Sequence, residues 1–559
     1  MSKPPTLALA QINSRIGDFA GNRAQILDAA RAARAQAEDP SRTLLVTPEL
    51  ALCGYPPRDL LYDPDFVADA LTATSELADE LERRFPDGPA VLCGTLARAK
   101  ATEMTSPRHP GLYDAAVLLQ GGEVRALAAK RLLPVYDVFY EPRWFVPGPI
   151  GAPIPFAGHR LGVLLCEDMW DDAYATHPAR ELVAAGADLL VCLSASPYRL
   201  GVLAQRLGHA RRAAALGVPL VYVNAVGAND ELIFDGGSLA LSPTGETVLQ
   251  LPRFAEAVTA LPIASLHAGS SARRAATPEP LSMEAELLSA LTLGVRDFCR
   301  KNGTRRAFLG LSGGIDSALV LCIACRALGA DAVTALSLPS HFNDPRSSQT
   351  AHELCRALGV RCEELSIDPL LSACQTGLAP LLAPEAGPAP AGDTTLENLQ
   401  ARLRALVLMA YVNRRGGILL NTSNKTELAV GYSTLYGDMA GALGVIADLT
   451  KPQVYALCQH INATATGPAP IPAFILERPP SAELRPGQVD PFDYPVESPR
   501  IESLVAHSPP PPDAPPADLA RYRRLLRAAE HKRWQFGIVL KVSERAFGSG
   551  RMVPVTRAR

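Results

Sequence analysis

The chain has 559 residues, 48% apolar and 20% charged, with a formal net charge of −3. That length excludes a single core and implies two or more domains, while the nearly balanced charge excludes an overall basic surface for nucleic acid or anionic membrane. No apolar run approaches the roughly 20 residues of a membrane span, and the opening MSKPPTLALAQINSRIGDFAGN lacks a secretion-signal layout, so a cytoplasmic enzyme without nucleic-acid or membrane partners is expected. From residue 5 to about residue 263, short β-like runs (TLALAQI, TLLVTPE, AVLCGTL, DAAVLLQ, LGVLLCE, DLLVCLSA, VPLVYVNAVG, GGSLALSP) alternate with helical stretches such as NRAQILDAARAARAQAE. This texture predicts a layered α/β domain with helices on its outer faces. Residues 266–280, LHAGSSARRAATPEP, are small, polar and broken by proline, as a linker is. They divide the chain into units 1–265 and 281–559. The second unit opens with a helix over 284–301, the strand RAFLGLS and the turn SGGIDS; further on, ALVLMAYVNRRGGILLNTSN reads as helix, turn and strand. Two Pro/Ala-rich stretches, 378–393 and 507–520, predict extended connections, and no internal repeat is present.

Eleven cysteines, an odd number scattered through apolar segments, argue for reduced thiols. Cys322 and Cys325 form a C-x-x-C inside an apolar helical run without neighbouring His or Cys, and read as core packing.

Three stretches of the first unit put a reactive side chain at the end of a predicted strand: Glu49 in VTPEL, Lys130 in AAKRLLP and Cys166 in VLLCEDMW. Singly, each has an ordinary structural explanation as a surface carboxylate, a solvated lysine or a core thiol. Together they supply a nucleophile, a carboxylate to take and return its proton, and a cation for a thiolate and a developing oxyanion. That combination suits cleavage of an amide or nitrile. These motifs, with YEPRWFVPG, resemble the nitrilase (carbon–nitrogen hydrolase) superfamily. The resemblance implies an αββα sandwich, a Glu49–Lys130–Cys166 triad, and a second glutamate, Glu141, that places the lysine. In glutamine-using members it further implies that Tyr136 and Ser196 hold the amino-acid end of L-glutamine. A basic residue usually stands six positions beyond that serine; here it is Val202, with Arg199 nearby.

In SGGIDS, residues 312–317, paired glycines free backbone N–H groups for an anion, the following helix start adds its partial positive charge, and Asp316 offers a hard oxygen ligand. The lysine of the common nucleotide loop is missing. The turn resembles the PP-loop of N-type ATP pyrophosphatases, which cut ATP between its α- and β-phosphates and need no such lysine. The later NTSNKTE follows a buried strand and ends on Glu427, a second candidate metal ligand. With PPSAEL and HKRWQFGIVLKVSERAFG, it closely resembles the NAD+ synthetases that use ammonia or glutamine. This resemblance implies a doubly wound parallel sheet and ATP-dependent amidation of deamido-NAD+ through an adenylylated intermediate, with Mg2+ and in a homo-oligomer. It assigns Gly310, Leu311, Ser312, Gly313, Gly314, Ile315, Asp316, Ser317, Thr422, Lys451 and Ser481 to ATP. Asn398, Arg402, Glu427 and Lys532 fall to deamido-NAD+, and Asp316 and Glu427 to Mg2+. The stretch LPSHFNDPRSSQTAHEL departs from the family pattern, with Asn343 where a small hydroxyl is usual and Thr350 where Asp is usual; Leu435 replaces a lysine of some members. Two other readings are an amidotransferase resembling GMP or asparagine synthetase, and a nitrilase-like regulatory or binding protein with an inactive synthetase half.

Overall fold

The structure, a computed structural model, describes residues 3–100, 103, 106, 108–267, 279–382 and 392–556. It divides into two compact units, Met1–Pro280 and Leu281–Arg559; most of the expected linker, residues 268–278, lies outside the described residues. Among the described residues no helix is long and apolar enough to cross a membrane.

In the first unit the elements run β1 (Thr6–Gln11), α1 (Phe19–Gln36), β2 (Thr43–Val46), α2 (Pro64–Arg84), β3 (Ala90–Arg98), β4 (Leu112–Gln120), β5 (Glu123–Ala129), β6 (Ile154–Phe156), β7 (His159–Leu165), α3 (Pro178–Ala184), β8 (Leu189–Ser194), α4 (Val202–Ala214), β9 (Leu220–Asn224), β10 (Val226–Asn229), β11 (Leu232–Asp235), β12 (Leu239–Leu241), β13 (Thr247–Gln250) and β14 (Ala257–Pro262). They form two six-stranded sheets, β14-β1-β2-β3-β4-β5 and β13-β12-β9-β8-β7-β6, with β10-β11 as a separate hairpin. The two-residue period of a strand explains the layering. Leu7 and Leu9 of β1 pack with Leu165 and Val191 in a core between the sheets, whereas Ala8 and Ala10 face a second core shared with α1 and α2. On the other sheet, Leu164 and Leu190 pack with residues of α3 and α4. Both faces of these strands are therefore buried, which is why they read as unbroken apolar runs. The expected αββα sandwich is present. The single run VPLVYVNAVG is two strands, however: Ala225 N–H turns to Ser194 O (3.0 Å), leaving β9 in its sheet while β10 pairs with β11.

In the second unit the elements are α5 (Met283–Lys301), β15 (Ala307–Gly310), α6 (Ile315–Leu328), β16 (Val333–Ser337), α7 (Pro345–Leu358), β17 (Arg361–Glu364), α8 (Asp368–Leu382), α9 (Thr395–Arg415), β18 (Ile418–Asn421), α10 (Lys425–Val430), β19 (Leu443–Gly444), α11 (Lys451–Ala463) and β20 (Ile538–Val539). The sheet order is β17-β16-β15-β18-β19-β20 and every pairing is parallel. From the adjacent pair β15 and β18 the chain winds outward in both directions, so the crevice at their carboxyl ends is a topological switch point, where such sheets bind ligands. The Pro/Ala-rich stretches are less extended than expected. Residues 378–382 complete α8, with Pro380 inside it, and 383–391 lie outside the described residues. Pro516 opens a helix over Pro516–Ala528, because the first turn has no N–H partner for proline to lose.

Gly94 on β3 lets the chain carrying Glu49 lie close over the sheet: a Cβ there would meet Pro48 O at 2.1 Å and Leu50 N at 2.6 Å. Gly94→Ala should therefore destabilise the first unit by about 2 kcal/mol or more for a backbone clash. It should also reduce any turnover that uses Glu49, read by denaturant titration and assay on one preparation.

Candidate active sites

Glu49, Lys130, Glu141 and Cys166 leave the ends of β2, β5 and β7 and a short turn at Glu141–Arg143, and all four are buried. Lys130 Nζ donates to Glu49 Oε1 at 2.6 Å and to Glu141 Oε1 at 2.8 Å; Glu141 Oε2 lies 2.7 Å away and Asp114 Oδ2 3.5 Å. Burial works against the ammonium, but Glu141, Glu49 and Asp114 outweigh it and hold Lys130 firmly protonated. Glu49 Oε2 accepts the Ala195 N–H at 2.7 Å, and Glu141 Oε1 accepts the Tyr55 hydroxyl at 2.9 Å. Burial pushes the Glu141 carboxyl up to about 7 against the pull of Lys130.

Cys166 ends β7 at φ +37°, a left-handed conformation that costs a non-glycine residue about 1–3 kcal/mol and is kept where the surroundings demand it. Asp168 holds the turn. Its Oδ1 accepts the N–H groups of Arg131 (3.0 Å) and Leu132 (2.9 Å), and its Oδ2 that of Leu165 (3.1 Å), tying the thiol-bearing chain to the lysine-bearing one. Burial, followed by the Glu49 carboxylate, pushes the Cys166 thiol well up while Lys130 opposes them. The resting group is thus a neutral thiol beside a base.

Tyr136 and Ser196, expected to hold the amino-acid end of glutamine, take unexpected partners. The Tyr136 hydroxyl donates to Glu167 (2.9 and 3.1 Å), as does that of Tyr174 (2.9 Å); Glu167 is buried and directly follows the thiol. Ser196 Oγ accepts from Arg206 Nε at 3.1 Å, and Arg206, also buried, donates to Ser196 O, Pro197 O and Asp235. Val202 is buried, and Arg199 turns to Gln205 at the surface. Reasoning from sequence missed Glu167, Asp168 and Arg206. The first two could have been found as acids directly after an apolar strand end; Arg206 sits in an ordinary amphipathic helix and gives no such signal.

In the second unit one pocket is lined by residues 310–317 except Gly313, together with Thr422, Glu427, Lys451 and Ser481. Gly313 has φ +75°, and a Cβ there would meet Ser347 O at 2.3 Å, so the turn needs glycine to lie against α7. Asp316 stands in the first turn of α6, where the helix dipole favours an anion. Its Oδ1 accepts from Asn424 Nδ2 at 3.0 Å and its Oδ2 bonds to Lys451 Nζ; Glu427 Oε1 lies 3.6 Å from the same ammonium. A capping box fixes Glu427, with Glu427 N donating to Asn424 Oδ1 (3.1 Å) and Asn424 N to Glu427 Oε2 (3.3 Å). Burial and the neighbouring Asp316 push the Glu427 carboxyl up to about 8. Two hard-oxygen carboxylates short of positive charge suit a divalent cation.

Asn398, Arg402 and Lys532 do not line this pocket. They gather on one turn: Asn398 Oδ1 accepts from Thr434 Oγ1 (2.7 Å), Arg402 Nε donates to Leu435 O (3.1 Å), and Lys532 Nζ to Gly431 O (2.8 Å) and Ser433 O (2.6 Å). A guanidinium not singled out from the sequence, Arg404, does line the pocket. It donates to Leu338 O (3.0 Å) and Asn343 Oδ1 (3.1 Å), and burial lowers it to about 10.

Residues 6–269 match the carbon–nitrogen hydrolase family and residues 287–533 the NAD synthase family, which makes the class of protein an enzyme with an amide-hydrolase unit followed by a synthase unit. Relatives match over both units. A glutamine-dependent NAD+ synthetase of Synechocystis is 40% identical over 99% of this chain and 99% of its own, and one of Rhodobacter capsulatus is 38% identical over 98% of each. The solved glutamine-dependent NAD+ synthetase of Acinetobacter baumannii, in complex with adenosine diphosphate, superposes with a TM-score of 0.76 at 30% identity, covering 99% of this chain and 98% of that one. The chain belongs to the glutamine-dependent NAD+ synthetase family.

Asp168→Ala removes the shared acceptor of three backbone N–H groups, those of Leu132 and Leu165 buried. It should destabilise the first unit by about 2–4 kcal/mol and disorder the thiol turn, so that alkylation of Cys166 by iodoacetamide, followed by peptide mass mapping, becomes faster.

Proposed function

We propose that the first unit hydrolyses the side-chain amide of L-glutamine and that the second uses the released ammonia to convert deamido-NAD+ to NAD+, with ATP cleaved to AMP and diphosphate. The observation that carries this reading is the buried Glu49–Lys130–Glu141 cluster at the Cys166 thiol, in one chain with a switch-point pocket holding Asp316, Glu427 and Lys451. Full-length relatives favour it over a GMP- or asparagine-type amidotransferase and over a regulatory protein with an inactive half.

Glu49 takes the Cys166 proton, the thiolate adds to the amide carbon, and Lys130 stabilises the oxyanion. The proton passes from Glu49 to the leaving nitrogen, ammonia departs and a thioester remains. Water deprotonated by Glu49 then releases glutamate, and the proton returns to the thiol. Glu141 keeps Lys130 in place. Tyr136, Ser196 and Glu167 meet the amino-acid end, a carboxylate such as Glu167 suiting its ammonium.

In the second unit the nicotinate carboxylate of deamido-NAD+ attacks the α-phosphorus of ATP and diphosphate leaves. Ammonia then adds to the acyl carbon of the resulting mixed anhydride and AMP leaves. Residues 310–317, Thr422 and Ser481 bind ATP, and Asn398, Arg402, Glu427 and Lys532 bind the dinucleotide. Lys451 and Arg404, both facing the pocket, hold phosphate oxygens. Asp316 and Glu427 would hold Mg2+, which when bound offsets charge on the phosphates. The same reading makes the enzyme a cytoplasmic homo-oligomer whose partners are the small molecules ATP, L-glutamine and deamido-NAD+.

Cys166→Ala should lose glutamine-driven NAD+ formation by about a thousandfold or more, the scale of losing a nucleophile, and keep synthesis from added ammonium. Equal loss with both nitrogen sources would overturn the division of labour. Asp316→Asn should block conversion of ATP to AMP while glutamine hydrolysis persists, measured as AMP and glutamate release in parallel; unchanged AMP release would remove Asp316 from the metal site.

A further inference from the structure

Among the described residues, three carboxyl groups surround the single ammonium of Lys130. Glu49, Asp114 and Glu141 bring oxygens within 4.8 Å of one another, and the side chains of all three and of Lys130 are at most 3% exposed. If all three were ionised, the cluster would carry two uncompensated negative charges with no water to solvate them. Carboxylates that share a site in this way cannot all ionise, and one keeps its proton. The centre of the trio, where a metal cation would otherwise sit, is taken by Lys130 Nζ.

The hydrogen bonds identify the proton's holder. Glu49 accepts from Lys130 at 2.6 Å and from Ala195 N–H at 2.7 Å. Glu141 accepts from Lys130 at 2.8 Å and from the Tyr55 hydroxyl at 2.9 Å. Asp114 is the farthest of the three from Lys130, at 3.5 Å, and neither of its oxygens accepts a hydrogen bond. A fully buried carboxylate without donors is the least tolerable anion of the set. A carboxylic acid there needs only an acceptor, and Glu49 is beside it.

We propose that Asp114 is a carboxylic acid in the resting enzyme, donating its proton in a hydrogen bond to Glu49, and that it thereby acts as a positioning residue for the base of the glutaminase site. The role of Glu49 in this statement rests on the function proposed above; the protonation of Asp114 does not. Burial first, and the Glu49 carboxylate second, push the Asp114 carboxyl well up. The groups facing Asp114 are Glu49 after β2, Lys130 after β5, Glu141 on its turn, and the Cys53 thiol, itself pushed up by burial and by Asp114. Asp114 itself lies on β4. With its proton in place, Glu49 keeps a donor and stays oriented until the thiol proton arrives. Loss of that proton at alkaline pH puts a third anion around Lys130 and beside the thiol, which draws the ammonium from Glu49 and disfavours the thiolate. Activity should therefore fall as pH rises through the Asp114 titration.

Asp114→Asn is the direct test, because the amide is an uncharged donor at every pH. Infrared difference spectra of wild type minus Asp114→Asn should show a carboxylic-acid carbonyl band at neutral pH, where the acids common to both proteins cancel. The variant should keep glutaminase kcat at neutral pH within about tenfold of wild type and lose or shift upward the alkaline limb of kcat/KM. Absence of the band, or an alkaline limb identical in the two proteins, would overturn the proposal. Should the variant not fold, Asp114→Ser, also an uncharged donor, takes its place in the same subtraction and pH profile, and the same outcomes decide. Failure of the function reading would appear separately, as glutamine-driven turnover surviving in Cys166→Ala.

Discussion

A lysine ammonium buried away from water stays charged only if carboxylates replace its hydration, and Lys130 sets that condition for the first unit. Its partners come from separate places in the chain, Glu49 after β2, Asp114 on β4 and Glu141 on a turn, and Asp168 ties the thiol turn to the residue after Lys130, Arg131. Only the sheet order that sets β2, β3, β4 and β5 side by side can bring them to one point. Gly94 on the intervening strand then allows the Glu49 chain to close over it. The second unit obeys the same rule with other elements. Lys451 opens α11, an end of a helix that repels a cation, and burial opposes its charge further; Asp316 and Glu427 outweigh both and hold it protonated.

Much of this was legible in the sequence, because strand ends carry the sites and the strands were plain. Continuous apolar runs bounded by small polar residues located β1 to β4 and β7 to β9, and the change from apolar run to Glu49, Lys130, Cys166 or the glycine turn marked where each strand stopped. Charged groups that serve the site from within were not legible. Asp114 stands inside β4, Arg206 inside α4 and Arg404 inside α9, and in a sequence each looks like a solvated position on an amphipathic element. Only the fold shows that the faces carrying them are closed. Residue-by-residue resemblance also located Asn398, Arg402 and Lys532 without showing that they meet on the turn at 431–435.

The Ser196 turn depends on Arg206. Its guanidinium donates to Ser196 Oγ, Ser196 O, Pro197 O and Asp235, so it fixes the Ser196 turn. Val202, buried on the same helix, adds no charge, and Arg199 is turned outward. What faces the thiol side is therefore a carboxylate with two phenols, Glu167 with Tyr136 and Tyr174. Polarity there is acidic, suited to an ammonium group.

The stretch at 340–350, where this chain departs from its family pattern, closes one wall of the switch-point pocket, and its substitutions are explained together. Asn343 Oδ1 accepts from Ser340 N (2.7 Å) and Arg404 Nη2 (3.1 Å), while its Nδ2 donates to Glu483 (3.1 Å). A lone hydroxyl, with one donor and a shorter reach, could not serve all of these. Ser347 Oγ also bonds to Glu483, at 3.0 Å, and Arg478 pairs with the same carboxylate. Thr350, where an aspartate is usual, returns its hydroxyl to Arg346 O of its own helix (2.8 Å) and does not line the pocket. The wall thus takes its carboxylate from Glu483 and not from α7. An amide at 343 is then the group that joins that carboxylate to the Arg404 guanidinium without adding a further buried charge.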